Sequence, residues 1–274
     1  MWVASHCDEA AGARDDLRSA AIAPLMNTIE LLYCNKELGY DRTIADAWSS
    51  SAAAFNVSSK PASEPPRQEG GGAHVTYSIG LVSDYRRAGV SRSDGKPALQ
   101  GSIDVRLPEQ WDIGVRGASI ARRGNVELTL YGAKTLEVGA TDLSIGATFI
   151  TFPRDKKADY AMFQANASRS IGPIDATIAV LYAPKQGNID NEDNLYLVAR
   201  ARTPLGKILG APVTLGANIG RMHGHFADAH SRSDWSLSLA ANVGGLDLGL
   251  SYVDNDLGDS RGDPAAVISV TRSF

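Results

Sequence analysis

The feature that most constrains this chain is a period of two that sets in at Val75. In "VTYSIGLVSDYRRAGVSRSDGKPALQGSIDVRLP" (Val75–Pro108), Val75, Tyr77, Ile79, Leu81 and Tyr85 share one parity, and Thr76, Ser78, Gly80, Asp84 and Arg86 share the other. After a polar tip, Leu99, Gly101, Ile103, Val105 and Leu107 alternate with Gln100, Ser102, Asp104 and Arg106. Successive side chains of a strand point to opposite faces, so the stretch reads as an antiparallel pair joined through Ser91–Lys96. The pattern recurs in twelve segments: 74–88, 98–107, 111–121, 125–138, 142–152, 160–171, 174–183, 194–203, 212–222, 234–243, 246–254 and 264–274. One strand with its connection takes about 17 residues, which suits membrane strands of roughly 9–11 residues with short links.

The links are sorted by length. Every odd one is long and charged: "AGVSRSDGKP", "ARRGN", "PRDKKAD", "APKQGNIDNED", "HGHFADAHSRS" and "NDLGDSRGD". The even ones are "PEQ", "GAT", "GP" and "GG", with "PLGKILGA" as the exception. A soluble sandwich has no reason to separate loops from turns in this way, whereas a barrel inserted from one side does. The pattern therefore predicts an all-β fold, a transmembrane up-and-down antiparallel barrel of about twelve strands over 74–274.

Aromatics set the outward face. On the apolar rows Tyr85, Phe149, Phe163, Tyr182, Trp235 and Tyr252 fall near the long-loop end, and Tyr77, Trp111 and Phe274 near the short-turn end. Two aromatic belts around an aliphatic band are what membrane interfaces select, so these nine are expected at the interface. The opposite rows carry the expected pore lining: Asp84, Arg86, Gln100, Asp104, Arg106, Asp112, Arg116, Glu127, Arg200, Arg202, Arg221 and Asp247, with Glu137, Asp175 and Asp234 on the same face. A soluble barrel with its charges outside satisfies the same alternation; the sorted links and the belts favour lipid. Lys134 interrupts the lipid row, either snorkelling to the nearby end or marking a bulge. In the final segment, "PAAVISVTRSF", Ala266, Ile268, Val270 and Phe274 share a parity, as expected of a strand that closes the barrel with Phe274 at the lower interface.

Composition agrees with this division. Of 274 residues 43% are hydrophobic but only 7% aromatic, and no run of 18 apolar residues exists to form a spanning helix. Both cysteines, Cys7 and Cys34, lie near the start, so no disulfide framework can hold the rest. Residues 1–73 have no strand pattern and carry 6 Lys/Arg against 10 Asp/Glu, while 74–274 carry 21 of each. That balance, with no basic block, argues against a nucleic-acid partner. Within 1–73, Ala20–Cys34 has the spacing of a short amphipathic helix, and Ser49–Gly72 reads as a Ser/Ala/Pro/Gly linker. A non-barrel head with little fixed structure is expected there. It lacks the basic start and apolar run of a secretory leader, and is read as a displaced leader or an upstream start-codon assignment.

The residues "SDYRRAGVSRSDGKPALQGSID" (Ser83–Asp104) resemble the signature of the TorF-like porin family of proteobacterial outer-membrane proteins. That pattern runs Ser-Asp-Tyr, a basic and aromatic pair, Gly, then Ser, Pro-Ala and Gln-Gly. The likeness is dense over 75–106, looser through "NVELTLYGAKTLE" and "TFITFPRD", and absent from the head. Arg87 departs from the family's aromatic-then-Arg order, and Gln164 stands where an acid is common. The resemblance implies an outer-membrane barrel called a porin, which is a fold-level statement and says little about the solute.

Other chemistry is thin. His223 and His225 form H-x-H, with Asp228 and His230 nearby, a pattern more often a solvated loop than a metal site. "DNDLGDSRGD" (Asp254–Asp263) lacks the ordered spacing of a Ca²⁺ loop, and its "RGD" is read as coincidence. "RRGN" (Arg122–Asn125) and "RDKK" (Arg154–Lys157) suit the phosphates of lipopolysaccharide. No phosphate loop, nucleophile elbow or paired catalytic carboxylates occur. Ser231, His230 and Asp234 come nearest to a triad, but adjacent strand residues face opposite ways. The sequence thus predicts no enzyme and no cofactor. It predicts an outer-membrane porin passing small polar solutes through a narrow charged lumen, its partners being bilayer, lipopolysaccharide and solute. A non-conducting structural or adhesin-like barrel is the alternative.

Overall fold

The computed structural model describes residues 72–227 and 231–274; the head, Asp228 and His230 lie outside the described residues. The described residues form fourteen strands: β1 (His74–Val82), β2 (Arg86–Arg87), β3 (Val90–Ser91), β4 (Ala98–Leu107), β5 (Trp111–Ser119), β6 (Val126–Val138), β7 (Thr141–Thr151), β8 (Tyr160–Ile171), β9 (Ile174–Ala183), β10 (Asn194–Ile208), β11 (Ala211–Gly224), β12 (Ser231–Val243), β13 (Leu246–Asn255) and β14 (Ala265–Ser273). All but β2 and β3 form one closed barrel of twelve antiparallel strands, each paired with its neighbour in the chain, with β1 closing against β14. Closure leaves no unpaired edge. At the seam, the Phe274 amide donates to the Tyr77 carbonyl and the Tyr77 amide to the Phe274 carbonyl.

The twelve expected segments match the barrel strands, with two instructive differences. "PLGKILGA" is not a loop. β10 continues through it to Ile208, the register shifts between Pro204 and Gly206, and a two-residue turn, Leu209–Gly210, leads into β11. Proline lacks the amide that a ladder needs, so it sits at the bulge and does not end the strand. Leu209 (φ 52°) and Gly210 (φ 83°) both take the left-handed conformation of a tight hairpin turn. All five links at that end are therefore short.

The second difference is larger. The first strand stops at Val82, not at residue 88, and the chain turns into the barrel. Residues 86–91 form a separate small hairpin, β2–β3, with Arg87 opposite Val90. Its two turn residues, Ala88 (φ 46°) and Gly89 (φ 78°), are both left-handed, the geometry that matches strand twist in a two-residue connection. Tyr85, expected at the membrane interface, is 3% exposed and belongs to this inner hairpin. Its parity with 75–81 is a coincidence, because it lies past the strand's end.

The outward rows of the barrel are apolar and exposed: Ile79 and Leu81 on β1, Leu136 on β6, Ile145 on β7, Ile178 on β9, Leu237 on β12 and Ile268 on β14. A surface of this kind is what a bilayer covers, since so wide an apolar band in water would drive association. Lys134 snorkels. Its ammonium reaches the Glu109 carboxylate at 3.5 Å and lies 5.3 Å from the Trp111 ring centroid, and the ladders on both sides of β6 run without a bulge.

Candidate functional site: the lumen and its inner hairpin

Alternation puts two kinds of lining on the inner wall. Towards the short turns it is polar: Asp104 and Arg106 on β4, Asp112 and Arg116 on β5, Arg200 and Arg202 on β10, and Asp247 on β13 all take the inward parity, as does Gln100 nearer the long-loop end of β4. Arg106 donates to Asp112 at 3.1 Å and Arg116 to Asp104 at 3.3 Å, with the Arg116 guanidinium also 4.8 Å from the Tyr131 ring. Arg200 reaches Asn218 at 3.4 Å, and Asn242 donates to Asp247 at 2.8 Å. In the strand order β4 and β10 stand six places apart in a ring of twelve, so the Arg106 and Arg200–Arg202 walls face one another.

Towards the long loops the interior is filled. Val82, Ile150, Phe152, Leu181, Tyr196 and Val253 are almost wholly buried, and loop residues Ile120, Ala158, Ile189 and Ala227 pack against them. Among them sits the β2–β3 hairpin. Glu127, the second residue of β6, gathers three of its donors: Arg87, the Tyr85 hydroxyl at 2.9 Å and Arg92 at 3.2 Å. Arg87 also donates to the Tyr160 hydroxyl at 3.0 Å. Burial pushes the Tyr85 phenol above its ordinary range, so it stays a donor.

The other side of the hairpin meets the opposite wall. The Asn255 side-chain amide donates to the Gly89 carbonyl at 2.9 Å, and a Cβ on Gly89 would stand 2.8 Å from Asn255 Cβ and 3.0 Å from Asp234 Cβ. Glycine is required here twice over, by its φ and by this approach. Since β6 and β12 are also six places apart, the hairpin spans the lumen from wall to wall.

The motif residues build this plug. The Asp84 carboxylate accepts from Arg86 at 2.6 Å, from Ser91 at 2.6 Å and from Ser93 at 3.0 Å, while the Ser93 hydroxyl accepts from the Tyr85 amide at 2.9 Å. Arg86 donates onward to the carbonyls of Gly89 (3.0 Å) and Asp263 (2.7 Å). Asp84 and Arg86, expected as pore-lining strand residues, thus lie inside the barrel but shape a loop. Sequence reasoning missed the hairpin because β2 and β3 are two residues each, too short for a periodic signal. The clue available was the density of Ser, Asp and Gly at 83–95, which is turn chemistry.

Arg221 requires a correction. The sequence pattern places it in the lumen, yet it shares the outward parity of Ile219 on β11 and its side chain is 47% exposed. It bonds the Ser231 and Ser233 hydroxyls and pairs with Asp256 at 3.6 Å. At the rim, beyond the hydrocarbon, an outward charge is cheap. Of the expected interface residues, Tyr77, Trp111, Phe149, Phe163, Tyr182, Trp235, Tyr252 and Phe274 are all exposed. The Trp235 and Tyr252 rings pack at a 38° tilt with centroids 5.3 Å apart. His223 and His225 do not converge: His223 is exposed on β11, and His225 lies in the following turn, 3.6 Å from Asp190. Gln164 faces inward and accepts from Thr148 at 3.4 Å.

The barrel is similar to solved porins. It matches the KdgM porin with a TM-score of 0.51 and 7% identity, covering 74% of this chain and 99% of that one. The NanC porin gives 0.51 and 7%, covering 72% and 98%. At such identity the likeness is one of fold. No curated protein matches the sequence. The family model for Gcw_chp, a bacterial protein of unknown function, matches residues 67–274. That range includes the whole barrel and the inner hairpin, and the chain belongs to the Gcw_chp family.

Proposed function

We propose that this protein is an outer-membrane channel for passive diffusion of small polar solutes, closed at its long-loop end by the β2–β3 hairpin. The observation that carries the reading is the division of the lumen. Its turn-side half is lined by facing arginines and carboxylates, a costly arrangement unless water and solute meet them. Its loop-side half is blocked by a segment that is not part of the wall. Eight strands fill their own interior and 16–18 leave an open channel; twelve leave room that a single inserted hairpin can occupy. The TorF-like porin resemblance of Ser83–Asp104 points the same way; that stretch runs through the inner hairpin into β4. A non-conducting structural barrel is the second reading, favoured by the completeness of the packing around Phe152 and Tyr196.

Single-channel recording in planar bilayers separates the two. The channel reading predicts brief, small openings from the full chain. It further predicts that Arg200→Glu with Arg202→Glu raises the cation-to-anion permeability ratio severalfold, since both lie on one inner wall. If a variant lacking residues 86–93 passes no current either, the channel reading fails.

A further inference from the structure

From the charge and placement of loops 120–125 and 152–159, we infer that this side of the rim is a docking surface for the phosphates of an outer-leaflet glycolipid. The two loops hold five basic residues against two acidic ones, whereas the next loop round the rim, 184–193, whose Asn188 donates to the Asp159 carbonyl at 2.9 Å, and 256–264, across the ring, each carry an excess of acid. They adjoin: the Gly124 backbone packs against Arg154, and the Arg123 guanidinium lies 5.1 Å from the Phe152 ring centroid. Arg122 has a distant partner in Asp94 at 3.8 Å. Arg123, Arg154 and Lys157 have no carboxylate within ion-pair distance among the described residues.

Depth makes the occupant a lipid. The Lys156 ammonium donates to the Thr151 hydroxyl at 3.1 Å and lies 3.8 Å from Asp159. Thr151 has the outward parity of β7, two residues beyond exposed Phe149, and is buried under this loop, so the loop covers the outer side of the strand end about 6–7 Å above the aromatic belt. That is the level of headgroup phosphates. Guanidinium and ammonium groups bind phosphate by charge-assisted hydrogen bonds, and each basic group held at such a surface adds to the attraction.

The test is native mass spectrometry of the full chain in detergent with bisphosphorylated lipid A. Wild type should retain it and should release dephosphorylated lipid A. Arg123→Gln/Arg154→Gln/Lys157→Gln should lower retention roughly tenfold or more, given three lost charges, while Lys207→Gln, at the short-turn end of β10, keeps the wild-type level. Heat-modifiable gel migration reports that each variant is folded. Equal retention by the triple variant, or of the dephosphorylated lipid, overturns the inference. Displacement by millimolar inorganic phosphate overturns it also, by making the site one for free anion. The surface depends on the membrane placement proposed above but not on conduction; lost phosphate selectivity with intact single-channel current removes the surface alone.

Discussion

Glu127→Ala is expected to open the lumen. Glu127 is 2% exposed and is the shared acceptor for Arg87, Arg92 and Tyr85, so its removal leaves Arg87 buried without its carboxylate. Breaking one side of a buried ion pair costs about 3–5 kcal/mol. The cost falls on the docked hairpin alone, because an undocked Arg87 is hydrated. Each ~1.4 kcal/mol is tenfold in an equilibrium, so the docked population relative to the undocked should fall by roughly two orders of magnitude or more. Planar-bilayer recordings should show longer openings and a higher mean conductance. Replacing both partners by apolar residues, Arg87→Met with Glu127→Leu, should keep the lumen shut, because a buried pair exchanged for well-packed hydrophobes is often neutral or stabilising. Wild-type currents from Glu127→Ala, with its melting temperature unchanged, would show that the hairpin is not latched there.

The second large effect concerns the outer wall. Ile178 is 65% exposed on the outward row of β9. Ile178→Arg should destabilise the barrel in phospholipid vesicles by about 2–4 kcal/mol, the cost of a lipid-facing cation near the midplane. Thr214→Lys, on the inward row of β11, should cost about 1 kcal/mol or less, since lumen substitutions tune selectivity more than stability. Denaturant titration in vesicles measures both. The reverse order would mean that water, not lipid, covers the outside.

These two residues also show what the sequence made legible. Wherever one face meets lipid and the other water, solvation forces the alternation, and parity alone assigns Ile178 to one side and Thr214 to the other. The tight turns were equally readable at Gly244–Gly245, where glycine supplies both left-handed positions. Leu209 defeated the same reasoning because a γ-branched apolar residue is rarely left-handed, and Pro204 because a bulge hides a proline that otherwise signals a break. The plug was illegible for another reason. Arg87–Glu127 joins residues 40 apart in sequence, and Gly89–Asn255 joins residues 166 apart. Neither contact follows from local periodicity; each depends on closure of the ring bringing β6 and β13 to the two sides of one hairpin. Arg221 shows the limit of charge as a guide, because near the rim the rule that ionised groups face inward lapses.

The central claim, that the apolar rows meet acyl chains and the charged rows meet enclosed water, is most directly tested by tryptophan quenching. With Trp2→Phe and Trp48→Phe, only Trp111 and Trp235 remain of the four tryptophans, one beside each end of the barrel on the outward face. In vesicles, lipid brominated high on the acyl chain should quench both strongly and lipid brominated near the terminal methyl weakly. Indifference to either lipid, together with full quenching by aqueous iodide, would contradict the account.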